Sequence, residues 1–365
     1  MAALCAVMAL AGGSAGCGDD DDTTMACIAG TVTGCVDGLV YEPVVGAEPA
    51  CFPPVQLRGR VLDLATEAGV GAATVVALDV NGGARSTVAI TAADGAYTLP
   101  ISIARDASGD PVSESVTRRV AASGYQVFPT APRTALPIDL AGAAPLAGGA
   151  RVVMDALTDV GLLALSSGGP RGIVRGEVDF AEPGGVLVIA TQGGAAVSSA
   201  VSDTGGDFAL FNVPAGETLV SGYPVGVRVD PVTATAGEVG GVVLVGHGDG
   251  LGSVSGSVNV VNGGMGTTTS VILVVESTFV PTAARGEAPA GLRAAPVSGA
   301  FSIADVPPGR YVALAAFEND FLVRDPDTRV FDAFGTMVHE DTAVPRVTGG
   351  DDVVYTWTGA TLEAA

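Results

Sequence analysis

An all-β chain made of tandem β-sandwiches is what this sequence predicts. One sentence of sequence recurs three times, as "TAADGAYTLP" (91–100), "VSDTGGDFALFNVPAG" (201–216) and "PVSGAFSIADVPPG" (296–309). Each holds a turn, an aromatic residue and an alternating apolar strand. Ahead of each lies a short apolar run: "ATVVALDV" (73–80), "GVLVIAT" (185–191) and "SVILVVES" (270–277). Their shortness and β-branched content favour strands over helices. Glycine fills 52 of 365 positions without a collagen period, about twice its usual share, as many short strands joined by turns require. The length suits two to four domains.

The amino end, "MAALCAVMALAGGSAGCGDDDDTT", is a short apolar run, then small residues, Cys17 and four aspartates. Residues 1–16 are too short to span a bilayer as a helix but suit the apolar core of a signal peptide. Ser14, Ala15 and Gly16 ahead of Cys17 resemble a bacterial lipobox, although Ser14 stands where that motif has Leu and no basic residue precedes the run. The expectation is a lipoprotein signal peptide at 1–16, lipidation at Cys17 and membrane attachment through that lipid. An ordinary secretory signal and an apolar helix are the alternatives. Residues 17–54 then form an acidic tether and a cysteine-bearing segment. The aspartate run lacks the spaced ligands, central Gly and closing Glu of a calcium loop.

All five cysteines lie within the first 51 residues. Lipidation of Cys17 would leave Cys27, Cys35 and Cys51, an odd set, so one pair and one leftover are expected. Cys27–Cys35 is the candidate disulfide, closing a short loop worth about 2–3 kcal/mol. No histidine lies near enough for zinc to be the better reading.

Each repeat opens on Gly-x-Val: "GRV" (59–61), "GEV" (176–178) and "GSV" (256–258). Tyr97 with Leu99, Phe208 with Leu210, and Phe301 with Ile303 stand two apart, which puts each pair on one face of a strand. Asp94-Gly95, Gly205-Gly206 and Ser298-Gly299 read as tight turns. "VPAG" (213–216) and "VPPG" (306–309) reverse the chain into a further strand. The first copy has no such turn and carries a polar insertion, "ARDASGDPVSES" (104–115), before rejoining at "SGY" (123–125), which recurs at 221–223. "GTV" (30–32) and "PVVGA" (43–47) echo the opening of a copy, but no full unit fits before residue 57.

Gly-x-Val, "GVGAATV" (69–75), "DGAYTL" (94–99) and "SGY" together resemble a carboxypeptidase regulatory-like domain. The resemblance implies a prealbumin-like (Ig-like) β-sandwich of about seven strands, in a superfamily described as carbohydrate-binding-like. It covers most of residues 55–330, with the second and third copies diverged. The expected sandwiches are 55–168, 169–250 and 251–365. Residues 135–168 either complete the first sandwich or form a short helix within "ARVVMDALTDVGLLAL". Residues 329–365 supply closing strands of the third, with Trp357 in an alternating run. That Trp is either a packed edge-strand aromatic or a platform for stacking a sugar. "GHGDGLGS" (246–253) is a Gly-rich joint expected to move.

The inventory excludes several functions. Acidic residues outnumber basic ones 39 to 17, a net charge of −22, which repels a phosphate backbone and argues against nucleic acid. The sequence contains no lysine, which rules out Schiff-base and P-loop lysines, Lys–Asn isopeptide cross-links and lysine-based sortase attachment. His247 and His339 are the only histidines; neither lies in H-E-x-x-H, and no G-x-S-x-G occurs. Asp325 and Asp327, in "ENDFLVRDPDT" (318–328), read as a solvated loop, with weak Ca²⁺ binding or acid–base chemistry as the alternatives. No catalytic residue, metal site or cofactor is expected. The sequence therefore points to a non-catalytic cell-envelope lipoprotein, of the outer membrane, serving as a spacer or protein-interaction module. The second reading is a carbohydrate-binding envelope protein. Envelope proteins or glycans are the expected partners.

Overall fold

The computed structural model describes residues 35, 38–79, 82–130, 133, 135–166, 171–236, 241–259, 268–280, 286–297, 299–318, 346–347, 352–358 and 361–364. Among them are strands and two short 3-10 turns, with no α-helix. The fold is all-β, and its sheets stack as tandem β-sandwiches.

Three units share one plan. In the first sheet of each, the Gly-x-Val strand is central: Val55–Asp63, Arg171–Asp179 and Gly252–Asn259. On one side it pairs antiparallel with the aromatic strand, Ala96–Ile101, Asp207–Pro214 or Ala300–Val306. On the other side a closing strand runs parallel to it. This is Val242–His247 in the second unit and Asp352–Thr358 in the third. In the first unit two short strands, Arg151–Val153 and Val160–Leu162, share that position. Among its described residues the run 135–168 thus completes the first sandwich with strands, and the one helical feature there is a 3-10 turn at Ala147–Gly149.

The recurring motif is explained by register. Gly59 faces Tyr97, Gly176 faces Phe208 and Gly256 faces Phe301 across the antiparallel pair. A Cβ on Gly176 would lie 2.6 Å from Phe208 Cζ and 2.2 Å from the Val242 carbonyl oxygen. A Cβ on Gly59 would lie 2.2 Å from the Thr158 carbonyl oxygen. At Gly176 only glycine leaves room for both the ring and the closing chain, and at Gly59 for the chain at Thr158. The three rings are buried, as are Leu99, Leu210 and Ile303 two residues on. In the first unit the ring is a tyrosine, and its hydroxyl donates to the Thr158 carbonyl at 2.6 Å.

The second sheet of each unit is built on a central antiparallel pair. These pairs are Thr74–Leu78 with Ser115–Ala121, Leu187–Gln192 with Glu217–Tyr223, and Thr268–Val275 with Gly309–Glu318. Val75, Ala77, Val116 and Val120 face the first core. Val76 and Leu78, on the opposite face, are buried too, against Val201 of the second unit. In the second unit Val186, Val188 and Ala190 face their own core. Leu187 and Ile189, which alternate with them, join the buried cluster of the third unit. These sheets are covered on both faces, which is why their strands read as continuous apolar runs rather than alternating ones.

Before the first unit, Val40–Val44 and Ala47–Phe52 form an antiparallel hairpin closed at Val45-Gly46. The segment 17–54 is therefore more than a tether, since its later part is folded onto the first unit. Cys51 lies on the second strand of this hairpin, opposite Tyr41. It is bonded to Cys35, with Cα atoms 5.6 Å apart. This corrects the expected Cys27–Cys35 pair. The hairpin holds Cys51 within bonding reach of Cys35, and a sulfur makes only one such bond. Cys27 lies outside the described residues.

Candidate functional site

A cavity of about 540 Å³ opens where the three units meet. The first unit brings Thr117 and Arg119 from a central strand, and Tyr125, Gln126, Thr130 and Arg133 from the chain that follows. The second brings Arg171, Ser198, Ser199 and Asn212, and the third brings Ser277, Phe279 and Glu287. These residues are far apart in sequence. The two-sided burial of the inner sheets is what brings them together.

The back of the cavity is a polar relay across all three units. Arg119, 3% exposed, donates from Nη2 to the Ser199 hydroxyl at 2.6 Å and to its carbonyl at 2.8 Å. The Ser199 hydroxyl in turn donates to Glu287 Oε1 at 3.0 Å, and Arg119 Nε lies 3.3 Å from the same oxygen. A guanidinium withdrawn from water in this way is stabilised only because a carboxylate and a carbonyl replace its hydration. Arg293 of the third unit donates to Asp79 of the first at 2.9 Å, a second charge-assisted tie.

Asn212 is the other junction residue. It interrupts the aromatic strand of the second unit with φ +61°, at a register shift between Gly172 and Val174. Asparagine tolerates the left-handed region better than most residues. Its amide donates to the carbonyls of Ala122 at 3.0 Å and Tyr125 at 2.9 Å, and it accepts from the Gly124 N–H at 2.7 Å. The side chain thus grips the "SGY" turn of the preceding unit. Asp305 holds the same place in the third unit, with φ +56° and a register shift between Gly252 and Val254. Its carbonyl accepts from Gly226 N–H of the second unit at 3.0 Å. In both cases the residue just before the "VPxG" turn docks a unit onto its predecessor.

The first unit has no such turn. Its polar insertion receives the amino-terminal hairpin instead. The Arg105 carbonyl accepts from the Val45 N–H of this hairpin, and the Arg105 N–H donates to the Pro43 carbonyl, both at 2.8 Å. Glu42, fully buried, accepts from Arg105 Nε at 2.5 Å and from the Ile103 N–H at 3.0 Å. Arg105 also donates to the Pro53 carbonyl at 2.8 Å and stacks on Phe52, 5.1 Å from the ring centroid.

Several residues singled out by sequence lie elsewhere. Cys17, His339, Asp325 and Asp327 are outside the described residues. Trp357 stands on the closing strand Asp352–Thr358, paired with Val258 and Leu362, and its side chain is outside the described residues. His247 ends the strand Val242–His247, with Nε2 3.4 Å from Asp230 Oδ2, and does not line the junction cavity. The joint after it has only four residues, 248–251, between consecutive strands. Among the described residues no group of three His, Cys, Asp or Glu is placed to hold a metal. No helix among them is long and apolar enough to cross a membrane. Sequence reasoning missed Arg119, Asn212 and Asp305. The unbroken apolar runs and the repeated Asn/Asp-Val-Pro-x-Gly were the signals that could have found them.

No protein-family model matches the chain, and no curated protein does. Among solved structures, the Bacillus anthracis TIE protein overlays 85% of this chain at 12% identity and TM-score 0.19, and the chain spans about half, 51%, of that protein's length. The major pilin subunit of Bacillus cereus overlays 71% of this chain and 87% of its own, at 11% identity and TM-score 0.21. The shaft pilin of Lactobacillus rhamnosus GG overlays 53% of this chain and 96% of its own, at 12% identity and TM-score 0.19. Scores this low place no constraint on function.

Proposed function

We propose that this chain is a non-catalytic module of the cell envelope, exported and lipid-anchored through Cys17, with carboxypeptidase regulatory-like sandwiches acting as a spacer or protein-interaction body. The observation that carries this reading is the docking of each unit onto the one before it. Asn212, Asp305 and the Arg119–Ser199–Glu287 relay fix the units to one another, as suits a body that holds a position. Flexible strings of domains lack such buried polar ties, and inter-domain motion is then the default. The acidic run after Cys17 would stand as a solvated tether between lipid and body, and stable anchoring would need more than one acyl chain.

The test combines two measurements on the full chain made in a bacterial host. The mature protein should partition into detergent and carry acyl mass on its first residue, and Cys17→Ser should abolish both. Small-angle scattering of the body should give one compact particle. A mature amino terminus elsewhere without acyl mass would overturn the anchor. A scattering curve of independently moving domains would overturn the rigid spacer.

A further inference from the structure

The charge around the junction cavity is not balanced. Of its two lining carboxylates, Glu287 is paired with Arg119 and Asp79 with Arg293. Arg133 and Arg171 also line it, and among the described residues neither is within salt-bridge reach of a carboxylate. Arg133 donates to the Gly161 carbonyl at 2.6 Å and lies over the Phe128 ring, 4.8 Å from its centroid. Arg171 donates from Nη1 to the Asn212 carbonyl at 3.2 Å. Each guanidinium has five N–H donors, so both retain donors beyond those bonds. Two uncompensated cations at one opening are conspicuous in a chain of net charge −22 with only 17 basic residues.

We propose that this cavity binds a carboxylate-bearing saccharide, its acid group held by Arg133 and Arg171. A planar carboxylate matches the guanidinium fork, and the cavity presents one such fork from each of two units. Burial lowers the proton affinity of Arg133, a sign that its charge is poorly hydrated and would gain from an anion. The rest of the wall suits a sugar. Thr117, Gln126 and Thr130 supply hydroxyl and amide groups, and Phe211 and Phe279 supply apolar surface. The Ser277 hydroxyl on the same wall is buried and has no hydrogen-bond partner among the described residues. The volume, about 540 Å³, falls within the roughly 300–1,000 Å³ of small-ligand sites. The inference goes beyond a spacer role and does not depend on lipidation of Cys17.

The experiment is calorimetric titration of the full chain with digalacturonate, with digalactose as the neutral counterpart and with inorganic phosphate as a bare anion. Digalacturonate should bind and the neutral sugar should not. Binding should weaken as salt is raised. Arg171→Gln, an exposed residue whose loss leaves the relay intact, should weaken binding roughly tenfold to a hundredfold, as expected for one charge-assisted contact. Arg133→Gln should do the same, measured below its own melting temperature, which falls as the bond to Gly161 and the stack on Phe128 are lost. If Arg133→Gln fails to fold, Arg171→Gln alone decides. No binding of digalacturonate, equal binding of digalactose, or unchanged affinity in Arg171→Gln would each overturn the proposal. Phosphate binding as tightly as digalacturonate would overturn the saccharide assignment by showing an adventitious ion site only.

Discussion

Glu42 and Arg105 form an ion pair sealed from solvent, 0% and 2% exposed, with Oε2 and Nε 2.5 Å apart. It joins the amino-terminal hairpin to the insertion that only the first unit carries. Removing one partner strands the other charge. Arg105→Met or Glu42→Ala should therefore cost about 3–5 kcal/mol. The double change to apolar residues of similar size should recover much of that loss. Chemical denaturation of the two single variants and the double variant measures this, and equal effects in all three would contradict it.

Tyr97 should give the first unit an alkaline limit. Burial raises its phenol from 10.0 to about 12. A raised folded pKa means the stabilisation is complete below the unfolded value and is lost as pH rises through the folded one. The window is therefore pH 10 to about 12, and about 2–3 kcal/mol is at stake. Tyr97→Phe should remove this step from a plot of stability against pH. It should also cost about 1–3 kcal/mol at neutral pH, because the buried Thr158 carbonyl loses its donor. Phenolate absorbance followed alongside unfolding checks the assignment.

Asn212→Ala should loosen the second unit from the first. It removes three hydrogen bonds to the "SGY" turn, each worth about 0.5–1.5 kcal/mol, and puts a Cβ without a compensating amide at φ +61°. Asn212→Gly keeps the backbone conformation and loses only the bonds. Calorimetry should show the first unit melting apart from the others in both variants, with the larger loss in Ala. A single unchanged transition in both would count against the docking role.

Gly176→Ala should disrupt the second core. The added methyl meets the Val242 carbonyl and the Phe208 ring well inside contact distance. Overpacking of this sort costs about 1–3 kcal/mol. Gly248→Ala, at a position whose Cβ would meet nothing within 4 Å, is the control and should be nearly neutral. Thermal melts of the two variants separate steric from entropic effects.

The repeat plan was legible because each of its signals is local. Gly-x-Val, the aromatic two residues before an apolar residue and the Asp-Gly turn are all read within a few positions, and the structure puts Gly59 opposite Tyr97 and Gly176 opposite Phe208. The junction was not legible, because Arg119, Ser199 and Glu287 come from three units and no spacing links them. A partial trace was there to be read: "TVVAL" and "LVIA" do not alternate, so their strands needed cover on both faces. The disulfide was misassigned for a related reason. Proximity in sequence favoured Cys27, whereas the hairpin turn at Gly46 returns Cys51 to Cys35.

The Cys35–Cys51 bond also decides how the molecule bears tension. A pull on the chain applied at Cys35 crosses the sulfur bridge directly to Cys51. The hairpin strand Val40–Val44 and its turn are bypassed and carry no load. The force passes instead through Phe52 to the strand Val55–Asp63, which is hydrogen-bonded along both edges, to Ala96–Ile101 on one side and to Arg151–Val153 and Val160–Leu162 on the other. A strand held on both flanks and drawn along its own axis must break many of these bonds together, as in shear, so the first unit would resist a pull applied through Cys35.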